Sequence, residues 1–317
     1  MARTPEQNNA IITGSIPRQL LLFFFPIWLG TMFQQLYNTV DTLIVGNFVG
    51  TQALAAVGAT SSFVQLLVGL FVGLCSGAGV IIAQSFGAGD HDEVNRQVHT
   101  ALALAIAGGA ALTVIGLLIS RPVLRLMQTP DEIVGMASEY LQIYFLGMIP
   151  QMIYNMGTNI LRAVGDTKRP LYFLCLSSVM NIALDLLFVV GFGMAIEGVA
   201  YATIISQFIS AALVLVVLSR STENYRLTWR DLRIDKGIFK QILRIGLPTG
   251  FQQSLTSFSN VYVQSYINTF GSSCMAGWSS YSKIDQFVFL PMQSIGQAST
   301  TFMSQNLGAG NLPRAKK

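Results

Sequence analysis

The sequence predicts an all-α, polytopic membrane protein with about eight transmembrane helices. Of its 317 residues, 52% are hydrophobic and 11% are charged, whereas about a quarter of the residues of a soluble domain are charged. The mean hydropathy is +0.53. This composition excludes a water-soluble globular protein and a disordered chain, and the net charge of +4 is too thinly spread for a nucleic-acid binder.

Eight apolar runs approach the roughly 20 residues that a helix needs to cross the hydrocarbon of a bilayer. They are too long and too continuous for the alternating strands of a membrane β-barrel. The predicted spans are Leu20–Val45, Ala53–Ile82, Thr100–Ile119, Val134–Met156, Leu171–Val190, Gly198–Leu218, Ile242–Phe270 and Trp278–Phe302.

Charge predicts the orientation of these spans. All 19 lysines and arginines except Arg121, Arg125 and Lys283 fall on one predicted side. Because basic loops stay in the cytoplasm, we expect both termini to be cytoplasmic in an inner or plasma membrane. The predicted domains are a tail over 1–17, a six-helix bundle over 18–219, a basic cytoplasmic linker over 220–241, and the start of a second bundle over 242–317.

An internal repeat supports this division. FGAGDHDE at Phe86–Glu93 recurs as LGAGNLPR at Leu307–Arg314, an offset of 221 residues. Phe33-Gln34-Gln35 and Phe251-Gln252-Gln253 open comparable spans, at an offset of 218. An even number of spans separates the copies, so they have the same topology and are expected to be related by an axis along the membrane normal.

Ionisable residues inside predicted spans indicate a functional site. Asp41 shares a helix face with Gln34 and Tyr37, and Asn181 with Asp185 forms a second polar stripe. Topology and a rise of about 1.5 Å per residue place Asp41, Asp185 and Thr203 at one depth, roughly 8 Å below the outer surface. Such a set can hold Na⁺ or a shuttled proton, because oxygen ligands suit a hard cation and neighbouring acids can share a proton.

Packing offers an alternative explanation, since polar side chains also hydrogen-bond across membrane helices. The same alternative applies to Asn155 and Asn159, which could line the same cavity. Pro26 removes a hydrogen bond from the first span and permits a kink there. No phosphate-binding loop is present and the two histidines lie at loop or span edges, so we expect no ATP-driven step, no zinc site, no cofactor and no enzyme activity.

Five segments of the chain resemble those of the multidrug and toxic compound extrusion (MATE) transporters, in family order and spacing. They are LYNTVDTLIVG at Leu36–Gly46, AQSFGAGD at Ala83–Asp90, ILRAVGDTKRP at Ile160–Pro170, NIALDLLFVVGFGMAIEGVAYAT at Asn181–Thr203, and LGAG at Leu307–Gly310. The resemblance implies a cation-coupled exporter of small organic compounds, built from two six-helix bundles around a V-shaped cleft.

By this resemblance, Asp41, Asn181, Asp185 and Thr203 bind the coupling ion, Gln34 and Tyr37 line the adjoining cavity, and Pro26 is the point at which the first helix bends. The family has twelve spans, so we expect a truncated copy. Two alternatives stay open. A lipid-linked sugar flippase of similar architecture would need cationic residues in its cleft, and a non-transporting membrane protein is suggested by the length.

Overall fold

A computed structural model describes residues 10–127, 129–268, 270 and 272–317, without the side chains of Ala10, of Ser62 and of some residues in the last two long helices. Within these ranges the chain is almost entirely helical, which confirms the predicted fold class. Residues 1–9 of the predicted tail, including Arg3, and the side chain of Lys283 lie outside the described part. The long helices are α1 (Ile16–Ile44), α2 (Thr51–Ala88), α3 (His91–Leu126), α4 (Asp131–Leu146), α5 (Met148–Ala163), α6 (Lys168–Asp185), α7 (Ile196–Arg220), α8 (Lys236–Asn268) and α9 (Ser272–Gly308).

Shorter helical turns lie at the ends of these helices. Two are π-helical: Val45–Val49 continues α1 and Leu186–Gly191 continues α6. Three more, Ala10–Thr13, Trp229–Asp231 and Leu312–Ala315, lie before α1, before α8 and after α9.

Seven of the eight predicted spans correspond to one helix each, but the fourth, Val134–Met156, is two helices. The break falls at Gly147, between α4 and α5. Pro150 explains it in part, because proline has no N–H to donate to the carbonyl of Leu146 and so cannot continue α4. Among the described residues, five helices are long and apolar enough to cross a membrane: Ile16–Val49, Thr51–Ala88, His91–Leu126, Lys168–Gly191 and Ile196–Arg220.

The hydrophobic core forms around α5. Met148, Met152, Met156 and Ile160 are fully buried, and their spacing of four residues places them on one face of the helix. α5 contacts α2, α3 and α7. The helices α1–α7, here called the first bundle, share one continuous core cluster that also includes Ile238 and Ile242 of α8.

The helices α8 and α9, here called the second unit, attach to the first bundle where α8 crosses α2 and where α9 crosses α1 and α2. α8 crosses α2 with backbone against backbone: a Cβ built on Gly73 would lie 2.3 Å from Gly250 N, and one on Gly77 would lie 2.6 Å from Gly246 N. α9 crosses α1, where Thr31 Oγ1 and Ser294 Oγ are 3.3 Å apart. Small residues permit such close approach of membrane helices.

The repeat seen in the sequence is a structural repeat. A Cβ built on Gly87 would clash with the backbone of Gln305, and one built on Gly308 would clash with the backbone of Gln84. These are equivalent positions at the offset of 221, so α2 and α9 meet in a reciprocal, two-fold manner. The helix ends repeat too: Gly89 and Gly310 have φ of 73° and 72°.

The residue after each of these glycines is an N-cap in both copies. Asp90 Oδ1 accepts a hydrogen bond from Glu93 N at 3.0 Å, and Asn311 Oδ1 accepts one from Arg314 N at 3.3 Å. This reciprocal contact lies at the end of the molecule that carries Arg96, Arg162, Arg233 and Arg314, here called the basic end. Here Arg162 Nη1 donates to Gln297 Oε1 at 2.9 Å.

Candidate functional site

Asp41 and Asp185 come together where α1 packs against α6. Asp185 is fully buried as the last residue of α6, and its carboxyl group interacts directly with that of Asp41. Asp41 Oδ1 and both carboxyl oxygens of Asp185 are buried, and apart from each other's carboxyl group they have no hydrogen-bond donor among the described residues. Two carboxylates have no hydrogen to offer each other, so a shared proton or a bound cation would satisfy both.

A polar cavity of about 70 Å³ lies between α1, α5, α6 and α7, and neither Asp41 nor Asp185 is among its lining residues; Tyr37 and Asn181, each one helical turn before an aspartate, are. Tyr37, which lines the cavity, interacts electrostatically with both Asp41 and Asp185. All lining side chains except one leucine carry an amide or a hydroxyl group, and none carries a charge. The lining residues are Gln34, Tyr37, Gln151, Tyr154, Asn155, Leu174, Ser177, Ser178, Asn181, Thr203, Ser206, Gln207 and Ser210.

Two predicted ion ligands face this cavity. Asn181 is buried, and neither its Oδ1 nor its Nδ2 has a hydrogen-bond partner. Burying an amide without partners is costly, so a ligand in the cavity would recover part of that cost. Thr203 lines the cavity as well, while its hydroxyl donates to Val199 O at 3.0 Å within its own helix. That bond leaves the lone pairs of the Thr203 oxygen available to a cation.

Asn155 and Asn159 face different surroundings. Asn155 lines the cavity. Asn159 lies one turn further along α5 and is not among the lining residues; its Oδ1 would be 3.6 Å from a Cβ built on Gly79 of α2. Asn159 Nδ2 donates to Asn155 O at 2.9 Å. The structure therefore places Asn155 at the cavity and Asn159 at a helix interface.

Pro26 lies inside α1, in the stretch that packs against the second unit. Its neighbours Phe23 and Ile27 form a cluster with Ala298 and Phe302 of α9. A bend at this point would change the contact between α1 and α9 as well as the direction of the segment that carries Asp41.

Several cavity residues escaped the sequence analysis. Gln151 Nε2 donates to Tyr144 Oη at 3.2 Å, which connects α5 to α4 across the helix break. Ser206 and Ser210 continue the stripe that Thr203 begins, at spacings of three and four residues on α7. This spacing indicates a buried face of α7, because serine and threonine side chains on membrane helices are enriched where helices contact each other.

Comparison with known proteins matches this geometry to one family. The family model described as MatE matches residues 26–187 and 248–317, more than half of the chain. The chain belongs to the MatE family. Members of this family are multi-pass plasma-membrane transporters rather than enzymes, and multidrug efflux is an activity of the family.

Two curated relatives and one solved structure illustrate the match. "Probable multidrug resistance protein YoeA" of Bacillus subtilis is 33% identical over 96% of this chain and 67% of its own length. The "FAD transporter" of Shewanella oneidensis is 22% identical over 98% of this chain and 70% of its own length. A structure described as the "outward-facing conformation of a multidrug resistance MATE family transporter" covers 100% of this chain and 70% of its own, with 26% identity and a TM-score of 0.91.

Proposed function

We propose that this chain exports small organic compounds, of cationic or amphipathic character, in exchange for H⁺ or Na⁺ by alternating access. The name of the Bacillus subtilis relative, a probable multidrug resistance protein, supports drugs as substrates. The observation that carries the proposal is the buried acid pair, in which Asp41 Oδ1 and both oxygens of Asp185 find no donor on any other residue that the structure describes. Such a pair is costly to keep empty and can be satisfied by a coupling ion.

In this proposal Asp41, Asn181, Asp185 and Thr203 bind the ion. Gln34, Tyr37 and Asn155 hold the substrate in the adjoining cavity, whereas Asn159, which faces Gly79, takes no part in holding it. Pro26 is the bending point of α1. Ion binding favours one conformation and substrate binding favours the other, and this difference in affinity is what couples the two fluxes. No ATP and no further cofactor takes part.

The proposed location is the plasma membrane, with the basic end and both termini in the cytoplasm. The orientation rests on the positive-inside rule, because Arg96, Arg162, Arg233 and Arg314 all lie at the basic end, whereas Arg121 and Arg125 lie at the far end of α3. Membrane lipids are then the solvent of the large apolar side chains that stand exposed on the outside of α1 and α8, such as Leu21, Leu22 and Phe258.

The lipid-linked sugar flippase is a weaker second candidate. Such a substrate carries phosphate groups, which proteins bind with arginine or lysine. The described residues that line the cavity include neither. The same consideration weighs against a flavin nucleotide at this cavity, in spite of the relative that transports FAD. The possibility of a non-transporting chain is tested by the experiment below.

The test combines ion binding with transport. Purified protein is titrated with NaCl, and separately with acid, while its thermal unfolding is followed. When the free ion concentration is 100 times the dissociation constant, ion binding raises the free energy of unfolding by about 2.7 kcal/mol. Dye efflux is measured with the same variants in cells that lack their own multidrug pumps.

We expect Asp41→Asn and Asp185→Asn each to abolish the ion-dependent stabilisation and to reduce efflux at least about tenfold. Asp131→Asn is the matched control, because Asp131 is an exposed acid in the first turn of α4. Wild-type ion response in both site variants would overturn the ion site. An intact ion response without any efflux would support the ion site and assign the chain to the non-transporting class.

A further inference from the structure

Two segments cross the basic end of the molecule outside the ion site. The first, here called the linker strap, comprises residues 224–235 between α7 and α8. Asn95 Nδ2 donates to the carbonyls of Asn224 and Arg226 at 3.2 and 3.4 Å. Thr228 N donates to His99 Nε2 at 3.0 Å. The linker strap is therefore bound along its length to the first turns of α3.

The end of the linker strap ties α8 directly to α3. Thr100 Oγ1 donates to Arg233 O and accepts from Asp235 N, both at 3.3 Å. The carboxylate of the same Asp235 caps α8 by accepting from Gly237 N at 2.8 Å and from Ile238 N at 3.1 Å. Asp235 thus caps the first helix of the second unit, and its own backbone N–H is bound by the buried Thr100 of the first bundle.

The second segment, here called the N-terminal strap, comprises residues 10–15 before α1. Arg314, which follows α9, donates from Nη2 to Ile11 O at 3.1 Å and to Gly14 O. Its guanidinium also lies 5.4 Å from the centroid of the Phe302 ring. Ile11 is buried against Phe302 and contacts the Gly165 position of the first bundle.

The two straps are equivalent in the structural repeat. The linker strap precedes α8 and the N-terminal strap precedes α1, and α8 corresponds to α1. The helical turn that carries Arg314 corresponds to the first turn of α3, since Asn311 and Asp90 are equivalent N-caps. Each strap therefore leads into the first helix of one half and is bound by the other half.

Both straps span the junction at which the two halves are in closest contact. There, Gly87 and Gly308 admit the backbones of Gln305 and Gln84, and Gln305 Nε2 donates to Ala163 O at 2.6 Å. We propose that the straps form a reciprocal latch: together they hold the basic end closed, and both must leave their sites before the halves separate there. This inference rests on the proposed alternating-access function for its role in transport, but its structural core can be tested without an ion or a substrate.

The test is hydrogen–deuterium exchange on the whole purified chain. Arg314→Met removes the charged donor of the N-terminal strap, and Thr100→Val removes the hydroxyl that holds the linker strap. The expected result is a cross-effect: Arg314→Met raises exchange in residues 224–235, and Thr100→Val raises exchange in residues 10–20. A hydrogen bond from a charged donor to a carbonyl changes the equilibrium between the closed and open forms by about tenfold or more. For Arg314→Met we therefore expect deuterium exchange in the distant strap to be about tenfold faster.

Matched controls separate the latch from loss of stability. Arg125→Met removes an equal charge from the exposed far end of α3, and Thr158→Val removes a buried hydroxyl that donates only within α5. Neither should change exchange in either strap. Where Arg314→Met unfolds the protein, Arg314→Gln, which keeps a donor but loses the charge, takes its place.

The outcomes distinguish the two proposals. Faster exchange in the distant strap, with the ion response of the Asp41 and Asp185 pair intact, supports the latch. Faster exchange confined to the mutated strap overturns the latch and leaves the proposed function standing. Absence of any ion response in the wild-type chain, with the cross-effect present in the strap variants, overturns the proposed function and leaves the latch as a property of the fold.

Discussion

The crossing of α2 and α8 predicts that one methyl group at Gly73 will weaken the attachment of the second unit. A Cβ on Gly73 would lie 2.3 Å from Gly250 N and 2.4 Å from Gly250 Cα, whereas ordinary contact begins at 3.4 Å. The obstacle is backbone, which cannot turn aside as a side chain can. The two helices must therefore move apart by about 1 Å, and a gap of this size forfeits up to about half of the contact energy of the lining atoms.

The cost of Gly73→Ala follows from these distances. Overpacking costs about 1–3 kcal/mol, while alanine gains about 1 kcal/mol over glycine in helix propensity. Gly69→Ala is the matched control, because Gly69 lies one turn earlier on α2 and a Cβ there would meet nothing within 4 Å. Both variants gain the propensity term, so the difference between them isolates the crossing.

Thermal unfolding in detergent, followed by circular dichroism, provides the measurement. With about 2.1 cal/mol/K of unfolding entropy per residue, each kcal/mol shifts the midpoint of a chain of this length by about 1.5 °C. An overpacking cost of about 2 kcal/mol therefore places the midpoint of Gly73→Ala about 3 °C below that of Gly69→Ala. Equal midpoints for the two variants would refute the close backbone crossing.

Two further predictions concern helix ends. Hydrogen bonds from Ile238 N and Gly237 N lower the pKa of Asp235. The stability that this cap adds to the folded state is therefore present above about pH 4 and is lost as the pH falls through the lowered folded-state pKa. Asp235→Ala should speed deuterium exchange at residues 237–238 at neutral pH, and unchanged exchange would show that the cap does not hold α8. Gly89 has φ of 73°, so Gly89→Ala should lower the free energy of unfolding by about 1–2 kcal/mol and Gly89→Asn by clearly less. Gly135→Ala is the control, because Gly135 has no positive φ and a Cβ there would meet nothing within 4 Å. Equal losses of stability for the alanine and asparagine variants of Gly89 in thermal unfolding would contradict the left-handed cap.

The positions of the helices could largely be predicted from the sequence, because apolar runs of membrane length have few alternatives to a helix. The break at Gly147 could not, since Val134–Met156 is mostly apolar and glycine and proline are common in membrane helices. Both α4 and α5 pack against α2, α3 and α7, so a change of neighbours does not mark the break either. The repeat was visible as FGAG and LGAG, but the contact between the two copies, Gly87 on Gln305 and Gly308 on Gln84, is a tertiary fact.

The site shows the same division between local and tertiary information. Helix periodicity and a common depth were enough to predict that Asp41 and Asp185 approach each other, because both calculations use only the rise of a helix and the topology. They could not separate Asn155 from Asn159. These two asparagines are four residues apart and share a helix face, and only the presence of Gly79 on α2 places one at an interface and the other at the cavity.

The π-helical turns that continue α1 and α6 have a consequence for insertions and deletions. A π turn holds one residue more than an α turn, and each of these begins within four residues of Asp41 or Asp185. Deleting one residue from Val45–Val49 or Leu186–Gly191 would restore α geometry without moving either acid, and would rotate only the chain beyond. A one-residue deletion at either place is therefore expected to leave both carboxyl groups in position, although it lies inside a membrane helix.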